Sequence, residues 1–518
     1  MLRYILIIAS IITLTLTSCR NDFNFETSTG ELRFSRDTVY LDTVFTNTSS
    51  STYTLKVYNK SNKNISIPSL QLEKGEASNY RLMIDGMPGK VFQNVELLAK
   101  DSLFVFIEVT SDVAQANPTD FLYTDRILFG TGVATQKVEL VTLIQDAYFI
   151  YPKRTQNPDN SYTYEGINLG VDEEGNPITI YGMELDENDP INGNELVWNN
   201  TKPYVVYGYA VVPPTKTLTV EAGARIHFHA ESGLIVANNA SLVVNGEASQ
   251  TETLENEVIF EGDRLEPGYS EVPGQWGTVW LTQGSHSNSL KNLTLKNAVI
   301  GLYVNGNDGS NTTTTTLDNV QIYNCTNYGI YATTGFMTGQ NVVVNNCGQA
   351  SFAGSFGGSY DFTHCTFANY WAKPNQNSVQ LDDYDGSATY ELVQANFKNC
   401  IIYGSTNFGL KLNQVNTSFN YQFENCLIKF ADFSNQFTND PLYDFDDSNH
   451  YLNCLIATNN SINNPDFKDA DNNELIIGED SAAKGAANFN YSFGTFDLLN
   501  NSRTNPSDIG AYNFIIFE

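Results

Sequence analysis

The sequence predicts an all-β protein in which an Ig-like β-sandwich is followed by a right-handed parallel β-helix. Three observations lead to this prediction. The composition, with 37 Gly, 29 Tyr and 31 Phe but only 5 Met, favours strands and turns over helices. Apolar and polar residues alternate with a period of two between Glu31 and about Gln145. A short strand-like unit then recurs between about Lys216 and Ala457.

Length and charge narrow the classes of partner. The chain has 518 residues, which predicts two or three domains. Its 28 Lys and Arg against 58 Asp and Glu give a formal net charge of −30. Proteins that bind nucleic acid neutralise its phosphates with Lys and Arg, so the charge excludes nucleic acid as an expected partner.

Residues 1–18 predict a lipoprotein signal peptide. Arg3 precedes an apolar run from about Tyr4 to Leu16, which is shorter than the ~20 residues of a spanning helix. The ending Leu16-Thr17-Ser18-Cys19 resembles the lipobox of bacterial lipoproteins, which implies cleavage before Cys19 and lipidation of its thiol. The alternative is an ordinary signal peptide with a Cys at its cleavage site. We expect residues 19–30 to form a tether and the lipid to be the only membrane anchor.

Residues 31–146 predict the Ig-like β-sandwich, with about seven short strands separated by turn-rich breaks. The segment 37–45 resembles the opening strand of Ig-like modules of secreted Bacteroidetes proteins. Such a module is typically a spacer or a docking unit, and no residue in it points to chemistry. We expect residues 147–200 to connect it to the β-helix. The alternating stretches are Thr38 to Phe45, Tyr53 to Tyr58, Tyr80 to Ile84, Leu103 to Val109 and Val138 to Ile144.

The repeated unit of the C-terminal part is a short alternating strand, then Asn or His, then a small residue. The first copy ends at Asn297-Ala298 and the last at Asn453-Cys454, so that six spacings average 26 residues. This period, irregular by several residues, is typical of β-helix coils whose insertions loop out. Asn tolerates the left-handed backbone of a turn and can hydrogen-bond to the Asn of the next coil. We therefore expect the β-helix to occupy residues 201–518, with a closing segment at its C-terminus.

Six cysteines follow these turn residues and predict a buried structural ladder. Two alternatives remain, free thiols or a disulfide framework, as is common in exported proteins. Stacked neighbours have parallel Cβ vectors, a poor geometry for a disulfide, so free thiols are favoured. No C-x-x-C pair occurs, which disfavours zinc. The ladder comprises Cys325, Cys347, Cys365, Cys400, Cys426 and Cys454.

Two groups of motifs resemble a known superfamily. Thr217 to Gly223, Val258 to Phe260 and Gln275 to Val279 resemble the opening coils of pectate-lyase-like β-helix proteins. The tail, with Ser481 to Ala486 and Asp508 to Tyr512, is similar to the ending of the choice-of-anchor Q group, although Lys484, Gly485 and Asn513 depart from its pattern. The resemblance covers residues 200–518 and implies the fold; such β-helices include lyases, hydrolases, adhesins and inert shafts. The whole chain also resembles lipoproteins of Bacteroidetes-type bacteria, which implies the outer membrane and a surface-exposed position.

Two acidic loops are the candidate ligand sites. Oxygen-rich loops of this kind can hold Ca²⁺, and paired carboxylates can hydrolyse glycosidic bonds. The alternative is solvated acidic turns on an acidic protein. The chain lacks the Arg signatures of pectate lyases and the Gly-His-Gly signature of polygalacturonases, so no residue is assigned as catalytic, and the metal content stays open. The first loop holds Asp382, Asp383 and Asp385, and the second holds Asp440, Asp444, Asp446 and Asp447.

Aromatic residues among Asn, Asp and Thr are the candidate glycan-stacking residues, chiefly Tyr370, Trp371 and Tyr384, together with Tyr328, Tyr331, Tyr403 and Tyr443. The alternative is that each packs against a neighbouring coil. Several of them on one face would favour binding.

These observations predict a cell-surface lipoprotein whose β-helix binds a polysaccharide or another surface partner without turnover. The rivals are a carbohydrate-active enzyme, either a polysaccharide lyase or a glycoside hydrolase, and a purely structural stalk. An enzyme needs carboxylates and a base that face one groove, whereas a binder needs only aromatic and amide side chains.

Overall fold

The structure is a computed structural model that describes residues 24–46, 48–110, 120–171, 174–251, 253–371, 373–416 and 418–517. The chain divides between Asp146 and Ala147 into two compact units. In the described residues the regular structure is β-strand apart from six 3₁₀ turns, Gly75–Ala77, Gly132–Ala134, Pro267–Tyr269, Pro441–Tyr443, Ala470–Asn472 and Phe489–Tyr491. No helix in this part of the chain has the length and hydrophobicity to cross a bilayer. Cys19 and the predicted signal peptide lie outside the described residues.

The first unit is a β-sandwich, as predicted. Strand order is β1-β5-β10-β11-β3, with β8 also on β5, in one sheet and β2-β4-β9-β6-β7 in the other. In β9, Val105 and Ile107 are fully buried, while Phe104 and Phe106, which alternate with them, are exposed. The period-two pattern therefore sets which face of the strand packs inward. The strands are β1 Glu26–Thr27, β2 Arg33–Phe34, β3 Thr38–Phe45, β4 Tyr53–Tyr58, β5 Ile65–Leu72, β6 Tyr80–Ile84, β7 Met87–Gly89, β8 Val91–Leu97, β9 Ser102–Val109, β10 Asp120–Phe129 and β11 Gln136–Gln145.

The second unit is the parallel β-helix, and it confirms the predicted fold class. It is built from a nineteen-stranded parallel sheet and a ten-stranded sheet that is parallel apart from one antiparallel pair at its first edge. Its first strands are β12 Tyr148–Ile150, β13 Arg154–Gln156, β14 Tyr162–Tyr164, β15 Gly166–Val171, β16 Pro177–Glu184, β17 Val197–Trp198, β18 Tyr204–Val206, β19 Tyr209–Val212, β20 Thr217–Glu221, β21 Arg225–Phe228, β22 Gly233–Val236, β23 Ser241–Asn245, β24 Val258–Gly262, β25 Val279–Leu281, β26 Asn288–Lys296, β27 Ile300–Asn305 and β28 Thr315–Cys325.

The later strands continue the same coils, apart from the last two, which form a separate antiparallel pair. They are β29 Tyr328–Thr333, β30 Phe336–Gln340, β31 Val343–Cys347, β32 Ala350–Ser355, β33 Gly358–Thr363, β34 Thr366–Asn369, β35 Asn377–Asp382, β36 Leu392–Lys398, β37 Ile401–Gly404, β38 Leu410–Asn413, β39 Phe419–Glu424, β40 Leu427–Lys429, β41 Tyr451–Leu452, β42 Leu455–Ala457, β43 Phe467–Asp469 and β44 Glu474–Ile477. In the ten-stranded sheet, Leu302, Ile330 and Phe352 stack in register and are buried in the core of the coils.

Two expected boundaries are corrected. The tether expected over 19–30 contains β1, which pairs in parallel with Ile65 and Ser66 and so belongs to the sandwich. The connecting segment expected over 147–200 contains β12, β16 and β17, which pair with β18, β19 and β20. Trp198 and Ile150 from this segment are buried in the core of the β-helix. The β-helix therefore begins near residue 148, because these apolar side chains close its first coil.

Asparagine turns end successive strands, as the repeat predicted. The Asn or His of each copy of the repeat has a positive φ, which ranges from 49° at Asn425 to 67° at Asn297. Neighbouring side chains bond along the ladder: the Asn346 amide donates to Asn324 Oδ1 over 2.6 Å. The six predicted ladder cysteines are free thiols, five of them buried and Cys454 half-buried. Burial raises the pKa of the Cys365 thiol well above its usual range.

The C-terminal segment 464–517, here called the strap, packs against an outward face of the nineteen-stranded sheet. Its Leu475, Ile509 and Tyr512 are buried. They pack against outward apolar residues of the coils such as Val343 and Ile401. The strap thus buries a second apolar layer outside the coils.

Candidate functional site

Asp382 ends β35 and lies on the outward face of the ten-stranded sheet, here called the outer face. It is only 7% exposed. Its carboxylate accepts hydrogen bonds from Ser355 Oγ at 2.9 Å, from the Phe356 N–H at 3.0 Å and from the Gln380 amide at 3.3 Å. Asp382 therefore stabilises the turn at Ser355 and Phe356 in the preceding coil.

The other two acids of this loop have separate partners. Asp383 is fully buried and accepts the N–H groups of Val415 and Asn416 at 2.8 and 2.7 Å. Asp385 is exposed and accepts the Tyr390 hydroxyl and two backbone N–H groups, which lower the pKa of its carboxyl. The three carboxylates thus bond to three different parts of the chain instead of facing one reacting centre.

The second acidic loop is built from turn-stabilising bonds. Asp440, Asp444 and Asp447 accept the N–H groups of Leu442, Asp446 and Asn449 at 3.0, 3.2 and 3.0 Å, and Asp446 itself is exposed. Within the described ranges, no group of three or more His, Cys, Asp or Glu side chains is placed to hold a metal ion.

The predicted stacking residues lie in different environments. Tyr370 packs against Phe467 of the strap, with ring centroids 6.2 Å apart, and burial raises the pKa of its hydroxyl. Trp371 is half-buried beside it. Tyr384 is 38% exposed, and its hydroxyl donates to the Gly386 carbonyl. The structure does not bring these three rings together.

A different set of aromatic residues forms a row on the outer face. Trp280, Tyr303 and Tyr331 occupy equivalent positions on β25, β27 and β29. Ring centroids are 5.6 Å apart between Trp280 and Tyr303 and 5.3 Å between Tyr303 and Tyr331. Tyr328 stacks on Tyr331 at 4.6 Å. We call these four half-buried side chains the aromatic row.

A row of polar side chains lies on the same outer face. Asn305 and Thr333 stand two residues after Tyr303 and Tyr331, and the row continues on β32, β35 and β38, beyond the aromatic row. Asn305 pairs with Thr333, Thr333 with Ser355, and Asp382 with Asn413. Thr333 Oγ1 donates to Asn305 Oδ1 over 3.1 Å, and Ser355 Oγ donates to Asp382. We call these five residues the polar row.

The two rows share one electrostatic environment. Burial, with the neighbouring Tyr328, Tyr303 and Asp382 charges, raises the pKa of Tyr331 to about 12. Burial and Asp382 also raise the pKa of Tyr328. These hydroxyls therefore stay protonated near neutral pH, and that of Tyr328 donates to Gln349 Oε1 over 2.7 Å. Because the rings stack on one another, the row presents mainly ring edges and hydroxyls to solvent.

Sequence reasoning named Tyr328 and Tyr331 but missed Trp280 and Tyr303. The signal was present in the repeat: Trp280, Tyr303 and Tyr331 each follow an inward residue, Val279, Leu302 and Ile330, which pair in register. Aligning the ten-stranded sheet as well as the Asn turns would have found the row.

No family model matches the chain, and no curated protein matches it in sequence. Thirteen chains of known structure match parts of it. A PapD-like domain of human CEP192 is 10% identical, and the match covers 25% of this chain and 94% of that one, with a TM-score of 0.15. The periplasmic chaperone SfaE is 11% identical over 29% of this chain and 82% of its own, with a TM-score of 0.16.

The catalytic unit of a GH87 α-1,3-glucanase from Streptomyces thermodiastaticus is 8% identical. The match covers 73% of this chain and 86% of the glucanase, with a TM-score of 0.21. At these TM-scores the similarities assign no activity to this chain. The resemblance of the tail to the choice-of-anchor Q group stays a prediction.

Proposed function

We propose that this protein is a lipid-anchored surface protein of the outer membrane whose outer face binds a polysaccharide without turnover. The observation that carries the proposal is the aromatic row beside the polar row on consecutive coils. The ring edges and hydroxyls of the aromatic row offer van der Waals contacts and hydrogen bonds to a sugar, while the hydroxyl, amide and carboxylate groups of the polar row exchange hydrogen bonds with sugar hydroxyls. The surface attachment rests on the lipobox-like residues that end at Cys19.

The same geometry favours binding over catalysis. A glycosidase needs two carboxylates that flank one bond, and one of them must be protonated. Asp382 is hydrogen-bonded to Ser355 and Phe356, and Asp383 to Val415 and Asn416. Each carboxylate therefore stabilises a neighbouring segment of the chain. Calcium binding by the acidic loops stays a prediction.

The test uses residues 20–518 with a panel of neutral and acidic polysaccharides, with and without Ca²⁺. Bound polymer, reducing ends and ultraviolet absorbance of new double bonds are recorded together. We expect a bound polymer without product. The double variant Tyr303→Ser/Tyr331→Ser should weaken binding about tenfold or more, because two aromatic contacts are lost.

The matched control is Tyr40→Ser, which removes a 65% exposed tyrosine from the sandwich and should leave binding unchanged. Thermal unfolding of each variant checks that it folds. Product that disappears in Asp382→Asn would replace the proposal with a carbohydrate-active enzyme. If the protein neither binds a polymer nor releases product, the remaining interpretation is a structural stalk.

A further inference from the structure

A cavity of about 520 Å³ lies between the strap and the coils of the β-helix. One wall consists of outward residues on three consecutive coils, since Lys291 pairs with Asp318 and Asp318 with Gln340. The other wall is the strap turn that contains Thr495, Phe496 and Asn500. None of these residues belongs to the aromatic row or the polar row.

The floor of this cavity is a second asparagine ladder. Asn292, Asn319 and Asn341 have positive φ of 44°, 55° and 51° and line the cavity. Asn319 donates to Asn292 Oδ1 over 3.1 Å, and Asn341 donates to Asn319 Oδ1 over 2.9 Å. The floor is therefore internally bonded and rigid, which leaves recognition to the walls.

The strap wall is tied to this floor. Asn341 Nδ2 donates to the Phe496 carbonyl over 2.9 Å, and Arg503 donates to Asn341 Oδ1 over 3.0 Å. Asp497 accepts the N–H groups of Asn501 and Asn513 at 2.7 and 3.0 Å, which closes the strap turn. Both walls are thus held in place before any ligand binds, which lowers the entropic cost of binding.

The lining combines one aromatic ring with polar groups that hydroxyls can bond. Phe496 is 51% exposed although it lies in a polar cavity. Gln340 and Asn500 also line the cavity, and the amide side chain of each offers both donors and an acceptor. Lys291 Nζ lies 3.9 Å from Asp318 Oδ2, a loose pair that a ligand can enter.

We infer that this cavity is a binding site for one or two units of a neutral sugar. A pyranose ring has an apolar face for Phe496 and equatorial hydroxyls for Gln340, Asn500 and Asp318. An acidic sugar fits less well, because Glu247 and Asp318 provide two carboxylates against the single ammonium group of Lys291 in this lining. The inference does not rest on the outer face, which is proposed to bind a polymer along its length.

The experiment titrates residues 20–518 with the methyl glycosides of glucose, galactose, mannose and N-acetylglucosamine, and with glucuronate. Binding is followed by calorimetry and by saturation-transfer NMR. We expect at least one neutral glycoside to bind, and glucuronate to bind about tenfold more weakly or not at all. Phe496→Ala and Gln340→Ala should each weaken binding about tenfold.

Phe493→Ala is the matched control, because Phe493 is 79% exposed on the same strap and does not line the cavity. It should change affinity by less than about twofold. Thermal unfolding of each variant confirms that the strap remains folded. The outer-face variant Tyr303→Ser/Tyr331→Ser should also bind the small sugar normally.

Three results would overturn the inference: no neutral glycoside binds, glucuronate binds more tightly, or Phe496→Ala and Phe493→Ala weaken binding equally. Loss of small-sugar binding in the outer-face variant, with normal binding in Phe496→Ala, would place the sugar on the outer face. In that case the proposed function survives and the cavity inference fails.

Discussion

At the scale of single residues, the turn after each strand decides how the coils stack. Asn accepts the left-handed backbone there, with φ of 57° at Asn324 and 58° at Asn346, and its amide bonds to the next Asn. His364 takes the same position with φ of 54°. It is fully buried, with Nε2 2.8 Å from Ser492 Oγ and 3.1 Å from Asn399 Nδ2. A histidine can therefore replace Asn in the ladder, because it also accepts a positive φ and forms local hydrogen bonds.

His364 should make the folded state sensitive to mild acid. Burial, with the nearby Arg503 charge, holds the pKa of His364 well below its usual range. Below about pH 6.5 the unfolded chain takes up a proton that the folded chain does not, so the free energy of unfolding falls with falling pH. His364→Asn restores the residue of the other coils and removes this loss. Between about pH 7 and pH 5, the variant should lose less stability than the wild type by up to about 2 kcal/mol.

Urea unfolding at both pH values measures this difference. His286→Asn, which changes a half-exposed histidine at another turn, is the control and should keep the wild-type pH dependence. An identical pH dependence in His364→Asn and the wild type would contradict the prediction.

At the scale of elements, the strap turns an outward sheet face into a second core. Strand residues such as Val343 and Ile401 point away from the coils and are nevertheless fully buried, because the strap covers them. Polar side chains of the coils bind the strap backbone: Asn345 donates to the Ala470 carbonyl over 2.9 Å, and Thr366 Oγ1 accepts the Ala511 N–H over 3.1 Å. The strap also packs against the ring of Tyr370, through Phe467, with ring centroids 6.2 Å apart.

Changing one buried strap residue should therefore destabilise the β-helix. Ile509 is fully buried, so Ile509→Ala leaves a cavity and should lower the free energy of unfolding by about 2–4 kcal/mol. Ile516 on the same strap is 69% exposed, and Ile516→Ala should change it by less than about 0.5 kcal/mol. Denaturant unfolding of the two variants measures both values, and equal effects would show that the strap adds no packing.

At the scale of the whole molecule, each of the two units has a hydrophobic core of its own. One comprises sandwich residues such as Val57 and Ile107, and the other runs through the coils from Ile150 to Tyr451. The formal net charge of the chain is −30, and its electrostatic field favours neutral over anionic ligands.

Separate cores predict separate unfolding transitions. Ile107→Ala should lower the temperature of one calorimetric transition, and Ile402→Ala should lower that of the other, because each side chain is fully buried in its own core. Each variant should leave the other transition within about 1 °C of the wild type. A single transition that both variants shift would contradict this.

The sequence by itself determined the fold class, because period-two alternation and a 26-residue repeat are local signals that act through backbone geometry. It also determined the turns, where Asn at residues such as 297 and 346 takes a positive φ. Only the tertiary structure decided which side chains share a surface. The spacing between successive copies of the repeat varies, from 18 residues between Cys347 and Cys365 to 35 between Cys365 and Cys400. Equivalent positions on the ten-stranded sheet therefore follow from the register of the paired strands and not from a count along the chain. That register places Trp280 beside Tyr303, and the returning strap covers Tyr370, because both contacts join residues far apart in the chain.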